Sequence, residues 1–130
     1  MPTFTLKQIK SIIAKQKVFD LEVDGKRSIK NFKMGLDHRY ETEVVTLYSY
    51  LELVANNHML PKKKFRDITP NGEIIKEFEV KSEHLRVYGI KTQDGRIIVF
   101  WGYKNDQDND LIKFRSIKAQ YLDSLKKHTP

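Results

Sequence analysis

The sequence predicts an α+β domain: a small twisted antiparallel sheet with a helical hairpin on one face, a closing C-terminal helix and an extra helix at the N-terminus. Three observations predict it. Apolar and polar residues alternate over 19–23, the period of a half-buried strand, and the stretch 76–103 reads as three strands joined by turns. Over 28–36, 40–55 and 110–126 the apolar residues recur instead every three or four positions, which is helical spacing. Between two of the three strands stands Asp94-Gly95, a pair suited to the positive dihedrals of a two-residue hairpin turn. At 130 residues and 15.4 kDa the chain, 1–130, holds one core and one domain.

Taken in order, Thr5 can cap a helix and Gln8 can reach back to it, while Leu6, Ile9, Ile12 and Ile13 fall on one face. This predicts a helix over about 5–16, an extension covering 1–17. Phe19, Leu21 and Val23 alternate with Asp20 and Glu22 to give a strand that Asp24-Gly25 closes with a turn. From Ser28, the stripe Ile29, Phe32 and Leu36 predicts a short helix. A stronger one follows through Tyr40, Val44, Leu47, Tyr48, Leu51 and Ala55, and Asn56-Asn57 can end it in the left-handed conformation. The connector 60–66 carries four cations, and Pro70-Asn71-Gly72 is a turn signal.

The C-terminal half reads as a three-stranded meander and a helix over 110–126. Pairing Gln93 with Arg96 puts Tyr88 opposite Trp101, Ile90 opposite Val99 and Arg86 opposite Tyr103, all on one face. A preceding turn through Lys81 to His84 pairs Phe78 with Val87 and Val80 with Leu85 on the apolar face, and Glu79 with Arg86 and Glu77 with Tyr88 on the other.

Composition narrows the chemistry. The chain has no cysteine, so disulfides, thiol catalysis and cysteine-ligated zinc are excluded. His38, His58, His84 and His128 are scattered without metal-ligand spacing, and Asp106, Asp108 and Asp110 lack the glycine and glutamate of a calcium loop. No cofactor or metal is expected. No apolar run approaches the ~18 residues that cross a bilayer, and the N-terminus lacks the pattern of a secretory signal, so a cytoplasmic location without membrane contact is expected. A net charge of +7 favours polyanionic partners.

From Phe19 to Leu125 the chain resembles the RelE/ParE/HigB superfamily of toxins, the Gp49-like HigB branch most closely. The residues that carry the likeness are Gly72-Glu73-Ile74-Ile75-Lys76-Glu77-Phe78 as a strand entering the sheet, His84-Leu85-Arg86-Val87-Tyr88 as the strand bearing the family's arginine, and Ile97-Ile98-Val99-Phe100-Trp101-Gly102-Tyr103-Lys104 as the run ending in Gly-aromatic-Lys. The resemblance implies a RelE-like fold and a type II toxin that cleaves messenger RNA without metal, often on the ribosome, neutralised by a protein antitoxin. Cleavage of this kind aims a 2′-hydroxyl at its own phosphate and needs a proton acceptor, a cation for the phosphoryl oxygens and a donor for the leaving oxygen.

On that likeness Arg86 matches the strand arginine and would hold the scissile phosphate, Lys104 would assist it, and Tyr103 would stack or relay a proton. Lys62, Lys63, Lys64 and Arg66 would steer RNA, and Tyr88 and Trp101 would stack bases. Tyr121 and His128 are the catalytic residue types near the C-terminus. Glu77, Glu79 and the aspartate-rich loop after Lys104 depart from the pattern of active members. They point to a second class, a non-enzymatic binding module on the same scaffold: a gyrase-directed toxin or a catalytically silent partner protein.

Overall fold

A computed structural model describes residues 2–126. It is an α+β structure: one mixed sheet of seven strands with helices on both faces. The strands are β1 (Phe4–Gln8), β2 (Val18–Val23), β3 (Lys26–Arg27), β4 (Phe65–Asp67), β5 (Lys76–Lys81), β6 (Leu85–Thr92) and β7 (Gly95–Tyr103). The helices are α1 (Ser28–Met34), α2 (Glu41–Ala55) and α3 (Gln107–Lys126). The main path runs β1-β2-β7-β6-β5-β4, with β3 hairpinned onto β2. No described helix is long and apolar enough to cross a membrane.

Local chemistry explains most boundaries. Asp24 and Gly25 both take positive φ (52° and 78°), the conformation that joins β2 to β3 in a two-residue turn. Asn57, at φ 64°, ends α2 in the left-handed region. The helices close the two faces separately. On what we call the front, Leu47 and Leu51 of α2 pack, together with Ile29 of α1, against Phe78, Val80, Leu85, Val87, Ile98 and Trp101 of the sheet. Against α3, on the back, lie Leu21, Tyr88, Ile90, Ile97, Val99, Phe114 and Tyr121.

Four expectations are corrected. Residues 4–8 are not the start of a helix over 5–16 but a strand, β1, paired antiparallel with β2 from Phe4–Val23 to Gln8–Phe19. Ile9 and Ile12 still reach the front core from the following loop, and Lys15 N–H and Gln16 Nε2 donate to the side chains of Asn56 and Asn57 at the end of α2. The sheet is not wholly antiparallel, because β2 runs parallel to β7 over Val18–Arg96 to Asp20–Ile98. The connector contributes a strand of its own, β4, on β5.

The fourth correction is register. In the β5–β6 hairpin Phe78 faces Gly89 and Glu79 faces Tyr88, a slip of two residues from the expected pairing that leaves each side chain on its expected face. Gly89 is required there, since the Phe78 ring occupies the space a Cβ would fill. In the β6–β7 hairpin a bulge falls between Gly89–Ile98 and Tyr88–Phe100, and Val99 is the extra residue. Beyond it every side chain of β7 changes face. Trp101 pairs with Val87 and Tyr103 with Leu85, so both turn to the front, while Arg86 faces Gly102 and stays on the back.

Candidate acid–base site

The bulge separates the residues that the sequence places together. Arg86 is 7% exposed on the back face, where its Nη1 donates to the carbonyls of Ser82 (2.6 Å) and Leu85 (2.8 Å). Tyr103 lies half-buried on the front, against the Phe32 ring at 5.1 Å. Arg86 and Tyr103 therefore do not share a groove, and a phosphate held by one is not presented to the other. Tyr88 and Trp101 are buried in the back and front cores respectively and offer no ring face to a base. Tyr121 is likewise buried, on the inner side of α3, and His128 lies outside the described residues.

The front end of β6 and β7 instead assembles a site around His84, a residue the sequence marks only as one of four scattered histidines. Glu43, in the first turn of α2, receives three hydrogen bonds there: from the Ser82 hydroxyl (2.5 Å) and the His84 N–H (2.8 Å) on Oε1, and from His84 Nδ1 (2.7 Å) on Oε2. Burial alone would raise the Glu43 carboxyl, yet these bonds outweigh it and hold the group below the usual carboxylate range. A carboxylate that accepts Nδ1–H fixes the tautomer and leaves Nε2 as the proton acceptor. The His84 side chain is 44% exposed, and its Nε2 faces the exposed Glu83 carboxylate at 3.9 Å.

The neighbours suit that role. The Tyr40 ring lies 4.7 Å from the imidazole, with Tyr103 6.2 Å beyond it, making a short aromatic wall. The Lys104 N–H donates to the His84 carbonyl (2.9 Å), which ties the exposed Lys104 to the same corner. The Lys81 N–H donates to the Lys64 carbonyl (2.8 Å), bringing the basic connector alongside. Lys62 and Lys63 are exposed and Lys64 lies over the Tyr50 ring at 5.2 Å. Arg66 turns to the back, 3.4 Å from buried Glu79. Of the nine residues singled out from sequence, Tyr103 and Lys104 adjoin His84 and the connector bearing Lys62 to Lys64 is tied to the end of β5 through Lys64, whereas Arg86, Tyr88, Trp101 and Arg66 lie elsewhere.

Neither His84 nor Glu43 carries a local sequence signal, because 41 residues separate them. The turn that precedes α2 places Glu43. Asp37 accepts from Arg39 N–H and opens a single 3-10 turn over His38–Tyr40, which leads directly into the helix and aims its first acidic turn at the β5–β6 loop. Among the described residues no cluster of histidine and carboxylate side chains is arranged to hold a metal ion.

No family model, curated protein or solved structure matches the chain.

Proposed function

We propose that the chain is a toxin-type endoribonuclease that cleaves messenger RNA without metal, acting in the cytoplasm and neutralised by a protein antitoxin. One observation carries the reading: a half-exposed histidine whose Nδ1 is held by a partly buried carboxylate, beside a lysine and two tyrosines. In this scheme His84 Nε2 takes the 2′-hydroxyl proton, and the 2′-oxygen bonds to the adjacent phosphorus. The bond from phosphorus to the 5′-oxygen breaks, and the Tyr103 hydroxyl protonates that leaving oxygen. The products are a 2′,3′-cyclic phosphate and a 5′-hydroxyl, while Lys104 offsets the charge on the phosphoryl oxygens. Arg86, the family-matched candidate, has no part in the step.

The test is His84→Gln in purified protein, with RNA 5′ ends mapped after incubation with translated and untranslated messages. We expect cleavage to fall by about 10²–10⁴-fold, the worth of a positioned general base, with the thermal transition unchanged. Full cleavage by this variant rejects the assignment. The burial of Arg86, Tyr88 and Trp101 favours a second reading, a binding module without catalysis. Wild-type protein that arrests growth without new 5′ ends in messages selects that reading, and DNA damage in the same cells points to gyrase.

A further inference from the structure

At the end of the sheet remote from His84, the register sets three cations side by side. Lys76 faces Lys91 across β5 and β6, and Lys91 faces Arg96 across β6 and β7. Directly opposed side chains stand about 5 Å apart, so the row is about 10 Å long. Like charges in this arrangement destabilise a sheet, and neighbouring carboxylates ordinarily relieve them. Among the described residues, none of the three has a carboxylate within ion-pair distance. Glu77 lines the same cleft but turns its carboxylate to Arg115 and Lys118 on the back face, which leaves Asp67 as the acid beside the row. Hydrogen bonds from Thr69 chiefly hold its carboxyl down, and Lys76 adds a smaller attraction.

The row is also built rather than loosely splayed. The Arg96 guanidinium is fixed over the rings of Phe65 (5.5 Å) and Phe78 (5.1 Å), and its Nε donates to the neutral Gln16 side chain at 2.9 Å. Its N–H donates to the Lys17 carbonyl, which places a fourth, exposed cation at the end of the row. A cleft of about 220 Å³ opens among Phe65, Asp67, Glu77, Phe78 and the three cations. A fixed arginine fork beside two mobile ammonium groups, with no counter-ion of its own, suits phosphate oxygens.

We infer that Lys76, Lys91 and Arg96 form a strip that binds consecutive phosphates of a single-stranded nucleic acid. The choice of polymer rests on the ribonuclease reading; the anion site does not. Lys91 lies seven residue steps along β6 from His84, a span of roughly 23 Å, so the strip would anchor the strand well away from the bond being cut. Binding energy gained there positions substrate at the dyad.

The experiment measures fluorescence anisotropy of a labelled 2′-O-methyl RNA oligonucleotide, which binds but cannot be cleaved, across a range of salt. The variants are Lys76→Ala with Lys91→Ala, both on exposed side chains, and His84→Gln. The double variant should bind about tenfold more weakly at moderate salt, and its log–log salt slope should be shallower by about 1.4, roughly 0.7 for each lost phosphate contact. His84→Gln should bind like wild type. An unchanged affinity and slope in the double variant overturn the strip, as does wild-type protein that fails to bind the oligonucleotide. Tighter binding of duplex DNA overturns its single-strand assignment. A saturable shift of the Lys91 amide with inorganic phosphate, alongside unchanged RNA affinity in the double variant, replaces it with a single-anion site. Binding lost in the double variant while His84→Gln still cleaves keeps the strip and removes the dyad.

Discussion

The front and back faces of the same three strands are sealed by different means. Under α2 the front closes with Leu47, Leu51, Val80, Leu85 and Val87, all essentially unexposed. Under α3 the back carries two buried glutamates on β5. Glu77 accepts from Arg115 Nε (3.0 Å) on one oxygen and from Lys118 Nζ (2.8 Å) on the other, and that ammonium also donates to the Ile75 carbonyl (3.0 Å). Glu79 accepts from Gln107 (2.7 Å), and close by Arg86 Nε and the Tyr88 hydroxyl are buried without partners. Burial first, then the nearby Glu79 and Asp110 charges, keep the Tyr88 hydroxyl protonated far above its ordinary range. Apolar burial is non-directional and tolerates repacking, whereas a buried ion network holds only while each member is present. The difference teaches that the acidic strand positions Glu77 and Glu79 secure a helix.

Removing one member of the back network should show the largest effect. Glu77→Ala leaves Lys118, 3% exposed, with only the half-exposed Glu73 carboxylate at 3.7 Å among the described residues, and urea unfolding should register a loss of about 3 kcal/mol. Glu77→Leu combined with Lys118→Met should recover that loss or exceed it by about 1–4 kcal/mol, since an apolar pair of similar volume carries no desolvation cost. On the front, Leu47→Ala should cost about 2–5 kcal/mol through the cavity it leaves, and no charge-removing partner change will restore it. If the Glu77/Lys118 double variant stays as unstable as the single, the two faces are sealed alike.

A smaller effect separates the carboxyls by pH. Asp20, on the front side of β2, has a single, half-exposed partner, Arg27, at 3.5 Å. Burial raises its pKa from 3.8 to about 6 despite that arginine. Between these values the folded chain holds a proton that the unfolded chain has lost, so stability should rise as pH falls from about 7 to 4, by up to about 3 kcal/mol. Glu43 has the opposite sign: its lowered pKa contributes stability above the ordinary carboxylate value, which is lost as pH falls through the folded one. Asp20→Asn should remove the first trend and leave the second, as read from melting temperatures across pH. A flat profile in the wild type would place Asp20 in water.

How much of this was legible in the sequence depends on parity. The order strand, two helices, strands and closing helix follows from periodicity, and the turns at Asp24-Gly25, Asn57 and Pro70-Asn71-Gly72 follow from residues that tolerate positive φ or fix a bend. The β5–β6 register was off by two, and an even slip is harmless to face assignment. The bulge at Val99 is an odd slip, and it sits in Ile97-Ile98-Val99-Phe100-Trp101, a run apolar at every position, where neither alternation is favoured over the other. At the N-terminus Leu6, Ile9, Ile12 and Ile13 satisfy helical spacing, yet pairing with β2 and burial of Ile9 and Ile12 from a loop prevailed. His84 and Glu43 meet only through the tertiary fold, so no local pattern could announce them.

The smallest expected effect bears most directly on chemistry. Arg86→Leu removes the two hydrogen bonds to Ser82 and Leu85 carbonyls along with an unpartnered Nε, so stability should fall by about 1–3 kcal/mol. Cleavage per folded molecule should stay at the wild-type level, because Gly102 rather than Tyr103 lies across from Arg86 and the guanidinium opens toward α3. Asp110, in the first turn of that helix, already fills the space over Gly102 that any other residue would need. The decisive comparison is of single-turnover rates for Arg86→Leu and His84→Gln, each corrected for folded fraction. A rate lost in the arginine variant and kept in the histidine variant would move the reacting phosphate to the back of the sheet, where α3 would have to leave before RNA could enter.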